Sequence, residues 1–205
     1  MKLFELITLT LQTATTGRAL PALEQALTDR AQAATLLGCW TTEIGALNQV
    51  IVLRSHADAQ ALLTARQAML DAPSPFGCGE WLVRMETETF ASFPFMPEIL
   101  PGSYGPIYEL RSYRLKPGGL QPTLAKWQAA VPGRIAFSPL TAALYALDGE
   151  PRITHLWPYE SLDARTTQRA ESVRAGAWPP KGGPDWLLPD MRATIMLPTA
   201  FSPLQ

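Results

Sequence analysis

Leu3-Phe4-Glu5-Leu6-Ile7 and Ile107-Tyr108-Glu109-Leu110-Arg111 are two versions of one segment, set 104 positions apart. The register continues downstream. Leu53, within Asn48–Arg54, is answered by Leu156, within Pro151–Trp157, 103 positions later. Trp81 in Glu80-Trp81-Leu82 is answered by Trp186 in Asp185-Trp186-Leu187, 105 positions later. Anchors that hold one register to within a residue mark a duplicated module, not a coincidence of short motifs. A repeat of this length is a domain-sized unit, far longer than a solenoid repeat.

Each copy reads as βαββαβ. In the first, residues 3–11 are rich in Phe, Ile, Thr and Leu and read as a strand that Gly17 ends. Leu20, Leu23, Leu27 and Ala31 then recur at helical spacing, with Pro21 placed in the first turn. Strands at 36–44 and 48–54 follow. Asp58 caps a helix with the apolar stripe Ala59, Leu62, Leu63, Met69 and Leu70, and residues 81–90 close the unit as a strand. In the second copy a strand at 106–115 leads to a helix with Leu120, Leu124, Trp127 and Val131 on one face, so Trp127 is expected to lie buried under its sheet. Strands at 139–147 and 152–159, a helix capped by Ser161, and a strand at 190–197 complete it.

This is the ferredoxin-like pattern, an antiparallel sheet with helices on one face only. The bare face must be buried or polar. Two tandem copies can bury both bare faces against each other. The expected fold is α+β: two tandem ferredoxin-like βαββ(αβ) repeats packed sheet to sheet, at 1–92 and 106–205, with a Pro-rich linker at 93–105.

Composition narrows the function classes. Hydrophobic residues make up 47% and charged residues 17%, which suits a chain with a substantial core and little solvated tail. The net charge of −1 and the lack of any basic stripe argue against nucleic acid as a partner. The apolar runs are far shorter than the ~20 residues of a membrane span. Met1–Thr10 is interrupted by Glu5 and has an internal counterpart, so it reads as a strand and not as an export signal. Cys39 and Cys78 lie outside any CxxC spacing. They read as reduced thiols of a cytoplasmic protein, with a Cys39–Cys78 disulfide as the alternative.

The second copy also resembles a known family. Tyr108-Glu109-Leu110-Arg111-Ser112-Tyr113-Arg114-Leu115-Lys116-Pro117-Gly118 looks like the opening strand of NIPSNAP proteins. His155-Leu156-Trp157-Pro158-Tyr159-Glu160-Ser161-Leu162, followed by Arg165, looks like their strand-to-helix segment. The first copy keeps the register but few of the letters, with Ile7 at the place of Arg111, Leu9 at Tyr113, Val52 at His155 and Arg54 at Trp157. It reads as a divergent copy. The resemblance implies a dimeric α+β barrel, here fused within one chain, and leaves the activity open.

Strand alternation puts Glu109, Arg111 and Tyr113 on one face of their strand, and His155 and Trp157 on one face of theirs. If both faces point into the barrel, a carboxylate, a guanidinium, an imidazole and aromatic walls converge as the candidate ligand pocket. Against this stands a structural reading: Glu109 pairs with Arg111, and His155 and Trp157 are core packing. Arg165, Arg169 and Arg174 read as a solvated helix face salted by Glu160, Asp163 and Glu171, with an anion-binding patch as the alternative. His56 and His155 do not repeat in register, so no metal or haem site is expected, and no cofactor is implied. No nucleophile elbow or dinucleotide fingerprint is present. Three functions remain: binding of a small organic ligand between the sheets, a non-catalytic interaction or structural module with a solid barrel interior, and a cofactor-free monooxygenase- or isomerase-like enzyme. Assembly of the fused pair into a homo-oligomer stays open.

Overall fold

The computed structural model describes residues 1–29, 33–181 and 185–205. The first unit runs β1 (Leu3–Leu11), α1 (Thr16–Thr28), β2 (Thr35–Ile44), β3 (Gln49–His56), α2 (Ala59–Asp71) and β4 (Leu82–Ser92). The second runs β5 (Ile107–Leu115), α3 (Leu120–Ile135), β6 (Ala142–Ala146), β7 (Arg152–Tyr159), α4 (Leu162–Arg174) and β8 (Leu187–Pro198).

Every pairing between these strands is antiparallel, and they close a barrel in the order β1-β3-β2-β8-β5-β7-β6-β4. Each unit contributes a ferredoxin-like sheet. The sheets face each other as the sequence implies, and they also join at their edges through β2–β8 and β4–β6. Closure leaves no free edge to template aggregation. It also explains why β1 is buried at every residue except Thr8 and Thr10. One face looks into the barrel and the other lies under helices, so no face of the strand is left for water.

Three apolar clusters follow. The barrel interior holds Phe4, Leu6, Trp40, Leu53, Phe90, Tyr108, Leu156 and Met196, drawn from both units. A second cluster joins Ile7, Leu9 and Val52 to Leu23, Leu27 and Met69 of α1 and α2. A third joins Ile153 and Trp157 to Leu124, Trp127 and Val131 of α3. Trp127 is buried where its helical stripe places it.

Local signals fix several boundaries. Asp58 accepts from the Ala61 N–H at 2.9 Å, and Ser161 from the Ala164 N–H at 3.0 Å, so both caps form as read. Gly17 belongs to α1 and does not terminate β1, which places Pro21 in the helix interior beyond the first turn. Ala31 lies outside the described residues. On α2 only Leu62 and Met69 are buried, while Leu63 and Leu70 face water. The residues that meet the sheet are a seven-residue step apart, and their neighbours are turned about 100° away.

Cys39 and Cys78 are free and buried. Burial pushes the Cys39 thiol up to about 12, against an opposing hydrogen bond with Thr199, and burial also raises Cys78. Because the thiolate is the reactive form, neither thiol should react with a disulfide reagent at about pH 8 until the chain unfolds. Prompt reaction of one equivalent with the folded protein would show an open cysteine.

Candidate functional site

Alternation along β5 and β7 decides what each face meets. Tyr108, Leu110 and Leu156 point into the barrel with the apolar cluster of both units. Glu109, Arg111, Tyr113, His155 and Trp157 occupy the opposite face, beneath α3 and α4. The expectation that these five face the barrel interior is therefore corrected. They do converge, but between sheet and helices.

Glu109 is the centre of this cluster and is fully buried. Its Oε1 accepts from Arg111 Nη1 and from Arg165 Nη2, each at 2.5 Å, while its Oε2 lies 3.7 Å from Arg169 Nη1. Burial alone would raise its carboxyl, but the bond from Arg165 and the charges of Arg111, Arg165 and Arg169 outweigh burial and hold it down. Arg111 also donates to the Tyr113 hydroxyl at 2.6 Å and lies across from His155 in the strand register. Arg134 is buried nearby. It donates to Ser138 at 2.7 Å and its guanidinium stacks 4.5 Å from the centre of the Trp157 ring.

His155 has a fixed tautomer. The indole N–H of Trp157 donates to its Nδ1 at 2.5 Å. An indole N–H can only donate, so Nδ1 is the acceptor and the proton of the neutral ring sits on Nε2. Burial, and then Arg111, Arg169 and Arg134, depress the His155 pKa well below its ordinary value, so the ring stays neutral. Its edges pack against Tyr113 and Trp127 at 4.8 Å and 4.7 Å between ring centres. Among the described residues the buried Nε2 atom has no hydrogen-bond partner.

The first unit holds a counterpart that sequence reasoning missed. Glu5 is fully buried. Its Oε2 accepts from Arg54 Nε at 2.6 Å and lies 3.2 Å from His56 Nε2, and its Oε1 accepts from Arg66 Nε at 2.9 Å. The signal was in the register. Glu5 precedes Glu109 by 104 positions and Arg66 precedes Arg169 by 103. A strand glutamate meeting an arginine of the last helix is thus common to both units. Arg165 and Arg169 are part of this sheet–helix contact, not the solvated face that their spacing suggested, whereas Arg174 is exposed.

The barrel interior offers a different site. Its deep half is packed, with only about 10 Å³ of space among Leu6, Trp40, Leu53, Leu156 and Met196, room for roughly one water. Along the same inner faces the residues turn polar: Tyr108 gives way to Ser112 and Arg114, Leu156 to Thr154 and Arg152, and Met196 to Thr194 and Arg192. These line an open cavity of about 970 Å³ between the two sheets at one end of the barrel. Its floor is Leu6, Ile51 and Leu110, and above it the Ser112 and Thr154 hydroxyls bond at 3.1 Å. Its four arginines and four acids are tied to one another: Arg84–Glu86 at 2.7 Å, Arg152–Glu88 at 2.6 Å, Arg114 to both Glu150 at 2.9 Å and Asp190 at 3.0 Å, and Arg192–Asp190 at 3.5 Å. Among the described residues no group of His, Cys, Asp and Glu is placed to hold a metal ion. No described helix is long and apolar enough to cross a membrane.

Fold and clusters together define a duplicated α+β barrel closed within one chain. A model of the NIPSNAP family matches residues 4–95 and 108–203, and the chain belongs to that family. It is 28% identical over 189 residues to NipSnap homolog 2 of Homo sapiens, covering 86% of this chain and 64% of that protein. It is 25% identical over 185 residues to the NipSnap protein of Drosophila melanogaster, covering 83% of this chain and 65% of that protein. The chain thus spans just under two thirds of the length of these relatives. The crystal structure of an anthrone oxidase-like protein aligns with a TM-score of 0.62 at 12% identity, over 97% of this chain and 91% of its own, a likeness of fold alone.

Proposed function

We propose that this NIPSNAP protein binds a small organic molecule in the open mouth between its two sheets. The observation that carries this reading is the cavity of about 970 Å³ with an apolar floor and polar walls, the mixture by which pockets combine affinity with orientation. A purely structural barrel needs no such space. The equal numbers of arginines and acids around it favour a neutral or zwitterionic ligand over a strongly charged one. Binding is favoured over catalysis because Glu86, Glu88, Glu150 and Asp190 are each tied to an arginine, leaving no carboxylate there set to move a proton.

Ser112→Trp tests the mouth directly. The side chain enters open space, so the fold should lose no more than the Ser112–Thr154 bond, about 1 kcal/mol. Wild-type protein is screened by thermal shift against neutral sugars, amino acids and aromatic alcohols. A ligand that binds the native state must raise the melting temperature. The variant should lose that rise. A library without a single hit on the wild type, or hits that persist in Ser112→Trp, would remove the mouth as the site.

A further inference from the structure

We propose that the cluster under α4 is an oxyanion site, in which Arg111, Arg165, Arg169 and the Nε2–H of His155 receive a carboxylate or phosphate group. The first argument is charge. One buried carboxylate, Glu109, faces three guanidiniums, and no other acid pairs with Arg111, Arg165 or Arg169 among the described residues. A fourth guanidinium, Arg134, lies within electrostatic reach of His155, Arg169 and Glu109, and its hydrogen bonds among the described residues go to the neutral Ser138 and Tyr159. A surplus of positive charge around a fully buried carboxylate is costly to the extent that the guanidiniums lose water, and an anion balances it.

The second argument is the unfilled donors. His155 is 2% exposed, and its tautomer makes Nε2 a donor, yet Nε2 has no acceptor. Arg165 Nε is likewise buried and unpaired among the described residues. The remaining acceptor of the cluster, Glu109 Oε2, is also unbonded among the described residues and lies 3.7 Å from Arg169 Nη1, so the carboxylate does not satisfy these two donors. Buried donors are normally satisfied, and the oxygens of a bound anion would supply the partners. Arg165 and Arg169 meet solvent along α4, where their side chains are 25% and 33% exposed.

The third argument is the comparison between units. In the first unit both oxygens of Glu5 are occupied by Arg54, His56 and Arg66. Ile7 and Val52 stand where the second unit has Arg111 and His155. The first unit also sets two guanidiniums, Arg54 and Arg66, against one carboxylate, with Arg54 Nη2 unbonded among the described residues. The surplus is larger in the second unit, where three guanidiniums meet Glu109. The site faces away from the barrel mouth and stands whatever the mouth binds.

The test uses the whole protein with two probes, inorganic phosphate and benzoate, each compared with sodium chloride at equal ionic strength. Either anion is expected to raise the melting temperature saturably, by about 5 °C at roughly a hundredfold its dissociation constant. A response to phosphate alone assigns the site to phosphoryl groups, and a response to benzoate alone assigns it to organic acids. In both cases the Trp157 indole N–H resonance should shift along the same titration, because its acceptor is His155. Arg169→Gln should weaken binding about tenfold or more, while Arg174→Gln, exposed on the same helix, should not. Equal responses of wild type and Arg169→Gln overturn the proposal, as does a wild type that answers neither probe beyond chloride. Should Arg169→Gln fail to fold, the wild-type Trp157 titration decides alone, and a resonance unmoved by both probes is a refutation.

Discussion

Trp40→Ala is expected to lower stability by about 3–5 kcal/mol and to do so for both units at once. The indole is 1% exposed on the inner face of β2, in the cluster to which both units contribute. Its ring lies 5.4 Å from that of Tyr108 in the second unit, and its own strand pairs with β8 there, with Trp40 opposite Pro198. Beneath it β2 carries a register shift between Leu36 and Gly38, and a Cβ at Gly38 would stand only 2.0 Å from the indole. Glycine leaves the room that the ring occupies. The indole N–H has no hydrogen-bond partner among the described residues, so what the ring contributes is packing, not a bond. Truncation would leave a void at the join between units, and the rigid strands on either side cannot collapse to fill it. Urea unfolding should show a lower midpoint at unchanged slope, with one transition seen by probes in either unit. An unchanged midpoint would mean that the join does not depend on this ring.

The duplication made the fold legible. One register placed the β and α elements of both units, and the need to bury two bare sheet faces implied the barrel. The facing of β5 and β7 was not legible. Alternation reveals a solvent side only where one face meets water, and here one face meets the other unit and the other meets helices. Glu109 and Arg111 looked like a lumen lining because they are polar. They lie outward because α4 supplies Arg165 and Arg169 to meet them, a long-range pairing invisible in strand periodicity. The same blindness hid the Glu5 cluster. Ile7 and Val52 suggested that the first unit had lost its polar set, whereas its cations come from Arg54 and His56 on β3 and Arg66 on α2. The mouth escaped notice because its lining is scattered over six strands and adjoining turns, with no contiguous motif.

Glu5→Gln is expected to cost about 3–5 kcal/mol at neutral pH, because it leaves two guanidiniums facing an amide that cannot balance them. The pH dependence of that cost identifies the cause. Burial alone would raise the Glu5 carboxyl. The bonds from His56, Arg54 and Arg66 outweigh burial and hold it at about 2, against an ordinary value of 4.5. A carboxyl depressed in the folded state stabilises when ionised. Its contribution is therefore fully present above about pH 4.5, declines as the pH falls towards 2, and is gone below it. A depression of this size corresponds to about 3 kcal/mol. Denaturation of both proteins in urea, repeated from about pH 7 down to pH 3, should show the gap between wild type and Glu5→Gln narrowing once the pH drops below about 4.5. The loss comes from the wild type, since the amide has no proton to gain. A gap that stays constant across that range would show that the Glu5 charge does not stabilise the sheet–helix contact, and that the variant is harmed by altered packing alone.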